Sequence, residues 1–162
     1  MSRATAISFT RSKRRPHPTE KTRTADKAGA SPSLSAANTS QKDLIRHIKN
    51  GLAFSALESL SSITGLPLPE LAAHVGIPLR TLARRKSAGK LSMEESERVV
   101  RLANLYEKAE ELFNGDKVST RLWMSQPKKA LGGDSPLDYA GTELGAREVE
   151  NLIGRLQHGV FA

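Results

Sequence analysis

The sequence predicts an all-α fold with a helix-turn-helix at its centre. Three observations predict it: from about residue 41 apolar residues recur at three- and four-residue steps, Gly and Asn-Gly stops punctuate the chain at helix-length intervals, and no alternating β-branched run is long enough for a strand. The first helix follows Ser40-Gln41-Lys42-Asp43, which resembles a capping box, places Leu44, Ile45 and Ile48 on one face and stops at Asn50-Gly51. A second capping signal, Ser55-x-x-Glu58, precedes Leu57, Leu60 and Ile63, with Gly65 as the stop. Pro69 suits the first turn of a third helix carrying Leu71, Ala72 and Val75, Gly76 interrupts it, and Pro78 starts a fourth helix running to about Lys86. Ser92-x-x-Glu95 opens the longest segment, in which Val99, Leu102, Ala103, Tyr106, Ala109 and Phe113 share a face up to Asn114-Gly115. After a turn-rich stretch at 126–136, a closing helix starts near Thr142 with Leu144, Val149, Leu152, Ile153 and Leu156 as its stripe and Gly159 as its end.

The third and fourth helices meet the steric needs of a helix-turn-helix. Ala72 is small enough for a close crossing, Gly76 suits a positive φ in the turn, and Leu71, Val75, Ile77 and Leu82 supply a shared core. Arg85 stands where a further apolar residue is often found, so the end of the fourth helix is expected to pack less tightly or to shift.

Composition limits the function. The 162 residues carry 25 Lys+Arg against 17 Asp+Glu, a formal charge of +8, with an isoelectric point near 10.0, which favours a polyanionic partner, a nucleic acid or an anionic surface. There is no cysteine, so disulfides, a zinc ribbon and a thiol nucleophile are excluded, and a reducing cytoplasm suits the chain. No apolar run is long enough for a membrane span or a signal peptide, so no membrane partner is expected. Residues 1–40 hold eight basic side chains against two acidic ones, few large apolar residues and a Ser/Ala-rich end, the composition of a flexible basic arm. Its Lys13-Arg14-Arg15 cluster reads as a nucleic-acid contact or equally as a solubilising tail, and its start has some likeness to a transit peptide that Pro16 and Pro18 argue against.

The fourth helix concentrates the charge that matters. Arg80, Arg84, Arg85, Lys86 and Lys90 fall between Leu79 and Leu91 with no acid among them, and Thr81 lies beside Arg80. Such a helix fits the major groove, with Arg paired to guanine and the other cations on phosphates, and two copies in a homodimer would read two half-sites. A solubilising helix, or one meeting an acidic protein, is the alternative. Aromatic residues make up only 4% of the chain and none lies in the basic stretch, which disfavours RNA. No phosphate-binding Gly-rich loop, dinucleotide fingerprint, zinc-protease motif or nucleophile elbow occurs. His17, His47, His74 and His158 are scattered without a second ligand at metal spacing, so neither catalysis, a cofactor nor a metal is expected.

Residues 51–162 resemble the Xre/MbcA/ParS family of antitoxins. The resemblance rests on the run Ile77 to Arg85 (IPLRTLARR), on Phe113-Asn114-Gly115, and on Trp123-Met124, Pro127, Ala130 to Gly133, Ser135-Pro136-Leu137, Thr142-Glu143, Gly145-Ala146, Val149, Ile153 and Gly159. Met124 replaces the Leu common in the family. The resemblance implies an Xre-like helix-turn-helix domain (41–114) followed by a toxin-binding domain (115–162), and leaves out the basic arm (1–40). It also implies that the chain neutralises a RES-domain toxin, an NAD-consuming enzyme, and binds its own promoter DNA. On this resemblance Trp123, Pro136, Tyr139, Thr142, Gly145 and Ala146 belong to the toxin-binding surface. The apolar Val160-Phe161-Ala162 would close the toxin's NAD pocket, whereas the residues alone leave Phe161 equally able to fold back on its own domain. ADP-ribosylating or NAD-phosphorolysing toxins are the other partners such antitoxins oppose. The competing class is a helix-turn-helix transcription factor whose last domain dimerises or senses a ligand.

Overall fold

The computed structural model describes residues 40–159; expectations for the arm before Ser40 and for Val160, Phe161 and Ala162 lie outside the described residues. The elements are α1 (Gln41–Asn50), α2 (Phe54–Thr64), α3 (Leu68–His74), α4 (Leu79–Ala88), α5 (Met93–Leu112), α6 (Lys117–Ser125), a 3-10 turn (Lys129–Leu131), α7 (Pro136–Tyr139) and α8 (Glu143–Gln157). Among the described residues there is no strand, only an isolated antiparallel bridge between Ala53 and Lys90. That bridge, with Phe54 N–H on the Gly89 carbonyl and Leu91 N–H on the Leu52 carbonyl (both 2.9 Å), ties the α1–α2 connection to the α4–α5 connection.

α5 organises the packing. α1, α2, α6 and α8 all lie against it, and one continuous core runs from Leu52 to Ile153. Its start is over-determined: Ser92 Oγ accepts from Glu95 N–H at 3.2 Å while Glu95 returns a carboxylate oxygen to Ser92 N–H at 2.8 Å, a complete capping box. One turn in, the fully buried Ser96 hydroxyl accepts from Leu52 N–H (2.8 Å) and donates to the Ser92 carbonyl (2.6 Å), so no buried donor is stranded there. Asn114, with φ at 53°, and Gly115 end the helix in left-handed conformations.

The other two expected capping signals fail. Ser40 occupies the N-cap of α1 but makes no side-chain cap bond, and Asp43 pairs instead with Arg46 at 2.8 Å. α2 begins at Phe54 behind Ala53, which places Ser55 and Glu58 inside the helix. The bridge at Ala53 explains the shift: pairing with Gly89 and Lys90 fixes where the chain turns. α6 is a helix that the periodicity does not reveal. Its cap is Asp116, whose carboxylate accepts from Val118 N–H (2.9 Å), Ser119 N–H (3.4 Å) and Ser119 Oγ (2.6 Å); these bonds hold the Asp116 carboxyl below the usual range. On α8, Val149, Leu152 and Ile153 are buried as expected, but Leu144 is exposed.

Candidate functional site

The helix-turn-helix is built as its sequence requires. Leu71, Ala72, Val75 and Ile77 are buried to the last few per cent, Leu82 nearly so, and Gly76 turns with φ at 66°. Ile77 N–H reaches back to the Ala72 carbonyl at 2.7 Å, locking α3 against the turn. Each buried Leu or Ile contributes about 1.5–3 kcal/mol, so the pair of short helices is held by this cluster rather than by its own propensity.

With Leu82 as the inward point of α4, the 100° step between residues turns Arg80, Ala83, Arg84 and Ser87 outward, with Leu79 and Lys86 on the flank; all six are exposed. Lys90, just beyond the helix, is exposed too, and Thr81 is half-buried on the other flank. No acid occurs between Glu70 and Glu94, so every charge on the outward face is positive. Arg85 departs from the expected role of groove reader. Its guanidinium turns inward onto Glu95, with Nε 2.7 Å from Oε2 and 3.0 Å from Oε1; the two side chains are 24% and 7% exposed. The α4 end therefore does not pack loosely: the missing apolar contact is replaced by an ion pair that bolts α4 to the capping box of α5.

The second half is fastened to the first at four places. Arg121 of α6 donates to the carbonyls of Ser62 and Ile63 at 3.0–3.1 Å, capping the end of α2. Arg101 of α5 meets Glu143 of α8 at 2.8 Å, and Lys108 meets Glu150 one helical stretch further along. Asp138 of α7 is shared, accepting from Ser135 Oγ at 2.6 Å and facing Nδ1 of His74 on α3 at 3.2 Å, which gives that histidine a carboxylate neighbour invisible in the sequence spacing.

Several residues expected on a partner-facing surface are structural instead. Pro136 and Ala146 are buried, and a Cβ on Gly145 would overlap the Tyr139 carbonyl oxygen, so these three close the α7–α8 turn and do not face outward. Thr142 is exposed but uses its hydroxyl to cap α8 through Gly145 N–H at 3.0 Å. Tyr139 is half-buried against the core. Trp123, also half-buried, lies 6.3 Å from the Phe113 ring and carries the Lys128 ammonium 5.4 Å over its face; burial pushes the Lys128 pKa down. The exposed apolar groups of this half are others: Val118 (73% exposed) and Leu122 (56%), one helical turn apart on α6, and Leu144 on α8. α6 thus buries Thr120 and Met124 and turns its leucine and valine outward. Among the described residues no three His, Asp or Glu side chains converge to hold a metal, and no helix is long and apolar enough to cross a membrane.

A cationic helix-turn-helix braced by a long helix, against which a small helical domain with outward apolar groups also packs, is the architecture of a DNA-binding module joined to a protein-binding one. Residues 43–104 match the Xre-like antitoxin helix-turn-helix domain, and residues 108–159 match the C-terminal toxin-binding domain of the Xre/MbcA/ParS antitoxins. The chain is 42% identical over 120 residues to the antitoxin Xre of Yersinia enterocolitica, covering 74% of this chain and 81% of that one. It is 34% identical over 116 residues to the antitoxin Xre of Photorhabdus laumondii, covering 71% and 78%. A Sphingobium protein named Prs ADP-ribosylating antitoxin is 31% identical over 131 residues, covering 74% and 81%. The chain belongs to the Xre antitoxin family. It is an antitoxin and not an enzyme, and the match of residues 108–159 to a toxin-binding domain decides against a last domain that only dimerises or senses a ligand.

Proposed function

We propose that this antitoxin neutralises a RES-domain toxin that consumes NAD, with the segment after α8 entering the toxin's NAD pocket, and that it represses its own promoter as a homodimer through α4. The observation that carries the toxin half is the toxin-binding-domain match at residues 108–159; α8 within it ends at Gln157, with two residues between it and Val160, Phe161 and Ala162 in the sequence. Val118 and Leu122 extend the contact surface, because two apolar side chains one turn apart in solvent add nothing to the burial that holds α6. The cationic, acid-free face of α4 supports the promoter half, with Arg80 and Arg84 as base readers and Lys86 and Lys90 on phosphates. Arg85 acts through the angle at which it holds α4, and Thr81 lies at the edge of the reading face.

The test co-expresses the neighbouring toxin gene with the full chain or with variants and follows cellular NAD. The toxin alone depletes NAD and the full chain prevents it. Removing residues 159–162, or replacing Val118 and Leu122 with Ser, restores depletion, by at least tenfold weaker binding for the serine pair, since two apolar contacts are worth about 1.5 kcal/mol or more. Growth arrest with NAD intact would replace the RES toxin by one of another chemistry. Full protection by the truncated chain would remove the plug.

A further inference from the structure

α4 carries one large side chain that neither the fold nor the cationic face explains. Leu79, the first residue of the helix, is 65% exposed, in a helix whose other outward residues are cationic or small. It forms one wall of a shallow depression of about 390 Å³ between α3 and α4, lined otherwise by Pro69, Ala73, Gly76, Ile77 and Pro78. Every one of those is apolar or glycine. The depression opens at the N-terminal end of α4, beside Arg80, and that end of the second helix is the part of a helix-turn-helix that reaches base edges. An apolar surface set among cations, with no acid between Glu70 and Glu94, calls for a ligand that is a polyanion yet presents a small apolar group. Duplex DNA offers one such group in its major groove, the 5-methyl of thymine.

We infer that Leu79 and the apolar depression beside it read a thymine methyl, adjacent to the base pair read by Arg80, so that each half-site of the operator contains a thymine that is recognised by its methyl group. This rests on the proposal that α4 binds DNA, and the division of labour follows from chemistry: Arg80 donates to guanine O6 and N7, whereas Leu79, which has no polar atom, discriminates only by burying a methyl. Substitution of Leu79 leaves the fold intact, because a side chain this exposed makes little of the core.

The experiment uses the full-length protein and a duplex carrying its own promoter, in which the thymines of the protected region are replaced one at a time by deoxyuridine. Uracil keeps the Watson-Crick edge and the O4 acceptor and lacks only the methyl. Burial of one methyl corresponds to about a fourfold change in affinity, so uracil at one position per half-site weakens binding about fourfold and elsewhere changes little. Leu79→Ala, which loses the contact in both half-sites, binds the natural duplex about as weakly as the unsubstituted protein binds a duplex with uracil at that position in both half-sites, and no longer distinguishes the two; Leu79→Met, which keeps an apolar chain there, still does. Toxin co-purifies equally with all three proteins. No sensitive thymine, or full uracil sensitivity retained in Leu79→Ala, overturns the inference. Failure of the unsubstituted protein to prefer its promoter over a random duplex would instead overturn DNA recognition by α4 itself, and the methyl contact with it.

Discussion

Replacing Arg85 with Met isolates what the ion pair to Glu95 does. Methionine keeps the length of the stem and a good helix propensity and deletes only the guanidinium. Glu95 is then left with 7% of its side chain in solvent and a single remaining donor, Ser92 N–H at 2.8 Å. Breaking a buried pair costs about 3–5 kcal/mol. The partial exposure of Arg85 and the surviving Ser92 bond bring the expectation down to about 2–3 kcal/mol. For a folded unit of this size that lowers the melting temperature by about 10 °C. Denaturant unfolding of Arg85→Met, Glu95→Gln and the double variant should give a coupling of about 1.5 kcal/mol or more. Promoter titrations across a salt series supply the second readout. Lys86→Met lowers the slope of log K against log salt by about 0.9 per half-site, one phosphate's worth, while Arg85→Met weakens binding and leaves the slope unchanged. A coupling below about 0.5 kcal/mol would refute the ion pair as a strut. A slope reduced by Arg85→Met as much as by Lys86→Met would show that the guanidinium leaves Glu95 for the duplex.

Two further outcomes follow from the packing. Gly145→Ala, which in an ordinary helix would be neutral or stabilising, should cost about 3 kcal/mol, because the new Cβ meets the Tyr139 carbonyl carbon at 2.9 Å and its oxygen closer still; circular dichroism melts and toxin co-purification both report it. Burial pushes the Tyr106 phenol up to about 12 from 10.0. Because the folded value is the higher one, this stability is whole below pH 10 and falls away as pH rises toward 12, by about 2–3 kcal/mol in all. Tyr106→Phe should flatten that decline, and an ultraviolet titration showing Tyr106 ionising near pH 10 in the folded protein would contradict it.

The helix-turn-helix was legible because every one of its requirements is local: a small residue at the crossing, a glycine in the turn, apolar residues at 71, 75, 77 and 82. α5 was legible for the same reason, its capping box lying within four residues. What escaped was decided across the fold. The start of α2 is set by a bridge to Lys90, which lies far along the chain, and overrides the Ser55 signal. α6 hid because its buried face holds Thr120 and Met124 while Val118 and Leu122 point outward, reversing the pattern that marks a core helix; the Asp116-x-x-Ser119 cap was its one local trace. Arg85 looked like another cation in a basic run until Glu95 was seen in its place. Pro136, Gly145 and Ala146 carried the family resemblance, but recurrence of such small or rigid residues marks a tight turn as readily as a surface, and burial shows that here they make the turn.

A helix that serves as floor to two domains leaves them a common fate. With α1, α2, α6 and α8 all packed on α5, neither half should have a melting transition of its own to fall back on. A bound inhibitor target at a hundred times its dissociation constant would add about 2.7 kcal/mol to the whole unit, so repressor lifetime in the cell would track toxin supply by mass action alone, without any signal passing along the chain.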